Sequence, residues 1–261
     1  MDVSYFVLLT LLYATTSFLG KYLRFLEGTF LIPASSDLAL AVTVLSLLFF
    51  HEVNLPFLTA SSLLIAFLIW RSKGRQVLYV KAIAYTTVLL ALPYLSYDVY
   101  EYAQSLLTGF LFVNETMVAL TLLTLISSFI LFLFRKNLLY SIFDPEFASL
   151  KGLRPGVWLG LLSVSSILDG FSLTLSLGFL LAHVVALSAS GARGGAKSLA
   201  LFAIITLALS TFTAMPLACA ASAAAVRGLE VLLLRLGGEG ALRGLRASGV
   251  RKALAEVPGL R

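Results

Sequence analysis

Charge is what this chain has least of. Only 12% of its 261 residues are Asp, Glu, Lys or Arg, while 59% are hydrophobic and the mean hydropathy is +0.98. That balance excludes an ordinary soluble domain and marks a polytopic helical membrane protein. The apolar runs are continuous rather than alternating, which argues against a transmembrane β-barrel. Cys219 is the only cysteine, so there is no internal disulfide and no cysteine cluster for a metal. Histidine is as scarce, with His51 and His183 far apart in sequence. No G-x-x-x-x-G-K-[ST] loop occurs, so the chain has no phosphate cradle of its own. Paired carboxylates, a metal-binding histidine motif or a nucleophile with its base are also missing at usable spacing. An intramembrane enzyme is therefore disfavoured.

What remains is hydrophobic spans and the loops between them. Roughly 20 apolar residues cross a bilayer. The sequence predicts an all-α transmembrane bundle of about nine spans near 3–19, 30–50, 54–70, 79–96, 113–134, 156–169, 171–189, 198–214 and 216–236. The sixth and seventh are divided at Asp169-Gly170, the last two at Pro216. The first span has no basic residue ahead of it and no small-residue cleavage site, so it is expected to be retained.

Charge placement tests this division. With the N-terminus outside, all 19 Lys and Arg fall on the inner side or close to it. Lys21 and Arg24 lie in the first inner loop, Arg71, Lys73 and Arg75 in the second, with Lys81 nearby. Arg135, Lys136, Lys151 and Arg154 lie in the third, and Arg193 and Lys197 in the fourth. Arg227 and Arg235 precede a basic tail at 237–261, expected inside, either lying on the membrane surface or disordered. Outer segments hold Glu52, Asp98, Glu101 and Asp169 instead. This is the positive-inside pattern, and it explains the net charge of +6 without nucleic acid. The domain plan is a membrane domain at 1–236 and the tail at 237–261, in a plasma membrane.

The longest polar break, 135–155, contains Phe143-Asp144-Pro145-Glu146-Phe147-Ala148 and then Gly152. Asp144 suits an N-cap, Pro145 the first helical position, Glu146 the positive end of the helix dipole and Gly152 the stop. A short capped helix is expected between Asp144 and Gly152. It reads either as a docking element for a soluble partner or as an ordinary helix joining two spans. Phe147 and Leu150, three apart, are its candidate apolar anchors.

Ionisable residues within spans are expensive and default to functional candidates. Asp37 lies early in the second span, in Pro33-Ala34-Ser35-Ser36-Asp37. It reads as a pathway residue, or as an Asp bonded to Ser35, Ser36 or a neighbouring helix. His183 lies on a Gly178/Ala182/Ala186 face and reads as a pore ligand or a helix-to-helix hydrogen bonder. Asp169 is expected at a solvated outer turn. Glu230 is expected to pair with Arg227 on one helical face, and His51-Glu52 to be an exposed turn. Tyr94, Tyr97, Tyr100 and Tyr102 read as interfacial anchors.

Aromatic-Asp-x-Glu-x-Ala-x-x-x-Gly after a span ending in basic residues resembles the coupling segment of zinc/manganese/iron-type ABC transporter permeases. Gln104-Ser105-Leu106-Leu107-Thr108-Gly109-Phe110-Leu111-Phe112-Val113-Asn114-Glu115 is similar to another stretch of that family. So are Leu177-Gly178-Phe179-Leu180-Leu181 through Ala189 and Arg193, and Gly20 through Ala41. The similarity spans most of residues 20–235, but only the coupling segment is specific. It implies a permease without catalytic residues or a tightly bound cofactor, working as a homodimer. ATP would be hydrolysed by separate ATPase subunits contacting Asp144, Glu146, Phe147, Ala148, Leu150 and Gly152. An extracellular metal-binding protein would deliver a divalent metal along Asp37 and His183, with Asp37 a ligand. The family's second helix carries an Asp and a His four residues apart, and that pair is not intact here. Asp37 stands near the His position and Pro33 near the Asp position. A different solute, or a non-ABC carrier, therefore remains an alternative.

Overall fold

The fold is seen in a computed structural model that describes residues 3–26, 31–71, 77–97, 100–101, 104–105, 115–192 and 195–234. Every regular element among them is helical. In chain order these are α1 (Val3–Phe25), α2 (Leu31–Phe50), α3 (Leu55–Arg71) and α4 (Val77–Ala91), followed by a 3-10 turn at Leu92–Tyr94. Then come α5 (Glu115–Leu133), α6 (Arg135–Phe143), α7 (Pro145–Leu150) and α8 (Pro155–Leu177). The described part ends with α9 (Phe179–Gly191), α10 (Ala196–Ser210) and α11 (Met215–Leu234).

Five of these, α1, α2, α5, α8 and α11, are long and apolar enough to cross a membrane. Shorter apolar segments occupy Leu55–Ile65, Ala82–Tyr94, Phe179–Gly191 and Ala196–Ser210. The loops at 27–30 and 72–76, the stretch 106–114, Arg193 and the tail 237–261 lie outside the described residues, and so do the expectations placed on them.

Helix α2 is the axis of the bundle. In its most apolar stretch 89% of the residues are buried, against 33–56% in the other long helices. It packs against α8, α4 and α9. Glycine makes the first of these contacts possible. A Cβ on Gly170 would fall inside the contact radius of Ser35 Oγ and press on the Ile32 carbonyl, so α8 and α2 meet backbone to backbone. A Cβ on Gly20 would likewise collide with the backbone of Ser190, which brings α1 against α9.

Asp169 and Gly170 do not form the expected turn. Helix α8 runs unbroken through both, and Asp169 is fully buried rather than solvated. Its carboxylate accepts hydrogen bonds from Thr15 Oγ1 at 3.0 Å and Thr16 Oγ1 at 2.7 Å, both on α1. These bonds satisfy a polar group that would otherwise be costly in an apolar interior. The reversal lies at Gly178 instead, where φ is +76° and ψ 161°. That region is essentially closed to residues with a Cβ. Contacts along α1 confirm a hairpin. Tyr5 Oη donates to the Ser176 carbonyl near one end of α1, while Arg24 donates to the Ala192 carbonyl at the other.

Gly170→Ala should therefore destabilise the protein by about 1–3 kcal/mol through overpacking. Gly160→Ala, in the same helix with nothing within 4 Å of the added carbon, should be neutral or slightly stabilising. Thermal unfolding of both variants in one detergent checks this; equal midpoints would contradict the close α2–α8 contact.

Candidate functional site

Asp37 sits on α2 about two turns in from its start and is buried among neighbouring helices. Among the described residues, Tyr85 and His183 reach it from other helices. Tyr85, on α4, donates its hydroxyl to Asp37 Oδ1 at 2.8 Å. His183, on α9, places Nε2 3.1 Å from the same oxygen. The sequence pointed to Asp37 and His183 separately; the fold brings them together. Tyr85 was missed. The available signal was a tyrosine inside an apolar span, whose hydroxyl needs a partner.

The tautomer of His183 follows from its other nitrogen. Nδ1 lies 3.2 Å from the Phe179 carbonyl oxygen one turn earlier. A carbonyl only accepts, so Nδ1 carries a proton. In a neutral ring Nε2 is then a lone pair, and it faces a carboxylate oxygen. The Nε2–Oδ1 approach lacks hydrogen-bond alignment. Two electron-rich atoms this close repel unless a cation joins them. That cation is either a proton, giving an imidazolium–carboxylate pair, or a metal ion. Imidazole with carboxylate suits first-row divalent metals. A ligating His whose second ring N–H is held by a backbone carbonyl is the usual supporting arrangement. A single ion roughly 2.0–2.2 Å from each donor could close the 3.1 Å gap.

The surroundings favour restricted access. Phe179 packs edge-on against His183 at 4.6 Å between ring centroids and against Tyr85 at 6.2 Å. The His183 side chain keeps 21% of its surface exposed, while that of Asp37 keeps none. Among the described residues no group of three or more His, Cys, Asp or Glu converges on one point. The pair therefore supplies two protein donors, and any further ligands come from elsewhere.

The second feature is α7. Asp144 Oδ1 accepts from the Phe147 N–H at 2.9 Å, Pro145 occupies the first turn and Glu146 follows it. At the other end Gly152 has φ +73°, its N–H donates to Ser149 O, and the Leu153 N–H donates to Ala148 O, both at 2.9 Å. This double bond pattern around a left-handed glycine is a Schellman stop. Ala148 is fully buried and seats the helix on its own bundle, whereas Leu150 is 87% exposed. Phe143 and Phe147 are exposed as well, and Lys151 Nζ lies 4.7 Å from the Tyr140 ring and 4.6 Å from that of Phe147. Apolar surface is thus presented on a rigid, basic-flanked projection.

The remaining flagged residues stay apart from both features. His51 and Glu52 are exposed in the turn after α2. Glu230 pairs with Arg227 at 3.7 Å, as expected, and also accepts from Ser198 at 2.6 Å.

No family model and no curated protein sequence matches the chain. Among solved structures, a chain of PsaBC from Streptococcus pneumoniae in complex with Fab superposes on it with a TM-score of 0.63. That alignment is 16% identical and covers 86% of this chain and 88% of the other. At such low identity the likeness establishes a common fold over almost the full length of both chains.

Proposed function

We propose that the chain is the membrane-spanning permease subunit of an ABC transporter that moves a divalent metal, zinc, manganese or iron. The observation that carries this reading is the Asp37–His183 pair, two metal-type donors from different helices 3.1 Å apart. The fold shared with PsaBC supports a transporter component rather than an enzyme, as does the coupling-segment resemblance. The metal is cargo, held in passing by Asp37 and His183 and released again, so two protein donors suit it better than a closed four-ligand cage. Tyr85, by holding Asp37 Oδ1, orients the carboxylate.

In this reading the chain crosses the plasma membrane nine times, with the N-terminus outside and the C-terminus inside. The placement of Lys and Arg supports that orientation. A second copy completes a homodimer. An extracellular metal-binding protein serves the outer face. ATP is hydrolysed by a separate subunit docked on α7, with Leu150 and Phe147 as anchors. Asp144, Glu146 and Gly152 fix the helix ends and Ala148 its seat.

Uptake of radioactive manganese or zinc by cells expressing the complete transporter tests the metal site. Asp37→Asn and His183→Gln should lower uptake by about 100-fold or more, and Tyr85→Phe by roughly tenfold as a supporting contact. Normal uptake by both ligand variants would remove the metal reading. Co-purification of the ATPase tests α7. Phe147→Ala with Leu150→Ala should release it while the permease stays folded, and Asp144→Ala should weaken the helix by about 1 kcal/mol and uncouple less. Full ATPase retention by the double variant would show that α7 is not the docking element. For topology, single cysteines in a Cys219→Ala background should label from outside at 97–110 and only from inside at 237–261. Labelling of the tail from outside would reject the orientation.

A further inference from the structure

A cavity of about 310 Å³ opens where α1, α5 and α10 meet, at the end of the bundle from which α6 and α7 project. It is separate from the Asp37–His183 pair. Lys21 and Arg135 stand among its lining residues, and none of the lining residues is acidic. The Arg135 guanidinium is held 5.6 Å above the Phe132 ring. Tyr13 Oη and Ser17 Oγ are buried and near enough to interact with each other, and neither has another hydrogen-bond partner among the described groups. Both residues line the cavity and are more than nine-tenths buried. Such a pair can use one hydroxyl hydrogen between its two oxygens and leaves the other without an acceptor near two cations, which suits an anion.

The backbone adds to this. Gly195, another lining residue, is the N-cap of the 15-residue helix α10 and has no side chain with which to cap it. The free N–H groups of that first turn carry the positive end of the helix dipole. The nearest acid is Glu230, behind Ser198. It is already engaged by the Ser198 hydroxyl and by Arg227.

The walls decide which anion fits. Phe18 packs edge-on against Tyr22 at 5.0 Å and against Phe132 at 6.0 Å. These rings continue onto an exposed apolar face of α5 formed by Phe129 and Leu133. A free phosphate gains nothing from such a wall, but an acyl chain does. We infer that this cavity is a binding site for an anionic phospholipid. The phosphate lies between Lys21, Arg135 and the start of α10, the Tyr13–Ser17 pair donates its remaining O–H to one of its oxygens, and one acyl chain runs over Phe18 and Phe132. Basic pockets between helices at a membrane surface recognise acidic head groups in this way. Because Arg135 begins α6, the lipid ties α1 and α10 to the segment that carries α7. The inference rests on the reading that the chain spans a membrane, which the cysteine labelling above tests independently.

Native mass spectrometry of the full chain in detergent, titrated with phosphatidylglycerol or with phosphatidylcholine of the same acyl chains, tests it. The wild type should retain phosphatidylglycerol in preference. Lys21→Gln with Arg135→Gln should lower that retention about tenfold or more, since each basic contact near the surface contributes substantially, and should leave phosphatidylcholine unchanged. Lys151→Gln with Arg154→Gln, a charge-matched control outside the cavity, should behave as wild type. Equal retention of both lipids by the wild type, or an equal loss in the control variant, would overturn the site. Displacement of phosphatidylglycerol by millimolar inorganic phosphate would show that the occupant is a free anion, which would overturn the lipid assignment.

Discussion

The constraint on which the structure turns is that His183 Nε2 and the buried Asp37 Oδ1 face each other at 3.1 Å among apolar helices. Either group alone would be costly there, because an ionised carboxylate without a partner is among the least tolerated groups in an apolar medium. A proton or a metal ion between them would stabilise the pair, beside the hydrogen bond that Asp37 accepts from Tyr85. The backbone favours that arrangement, since the Phe179 carbonyl accepts from Nδ1–H and leaves Nε2 facing the carboxylate. In the proposed transport cycle such a pair would hold a cation and, with two protein donors among the described residues, release it again.

Much of the bundle serves to hold these helices at that spacing. Asp37 rides on α2 and His183 on α9. Both are positioned by the hairpin of α8 and α9 about Gly178, where a positive φ allows a reversal in one residue. Gly170 lets α8 approach α2, and Gly20 lets α1 approach α9. Asp169 is a second buried carboxylate with a different solution. Two threonine hydroxyls from α1 hold it, so it locks helices together and exerts no comparable demand for a cation. Two acids at similar burial thus have separate roles because their neighbours differ in chemistry.

How far the sequence discloses this depends on the range of the interactions. The α7 cap and stop were legible because Asp144, Pro145 and Gly152 act within a few residues of one another. The helical membrane character was legible because composition alone decides it. Asp37 and His183 could each be singled out as polar residues in apolar spans, but not as partners, because only the packing of α2 against α9 makes them neighbours. Nor could Tyr85 be assigned to them. Asp169-Gly170 misled for a physical reason: that dipeptide favours turns when solvent satisfies the carboxylate. Here Thr15 and Thr16, 154 and 153 residues away, do so instead. The reversal then passed to Gly178, which reads equally well as a small packing residue on a helix face.

The central claim is that a divalent metal occupies the gap between His183 and Asp37. Zinc K-edge X-ray absorption on the purified, untagged chain loaded with one equivalent of zinc addresses it directly, because His51 and His183 are the only histidines. The account predicts imidazole and oxygen scatterers around the metal, with the imidazole signature unchanged in His51→Gln and lost in His183→Gln. A spectrum that is the same in His183→Gln as in the wild type would contradict it.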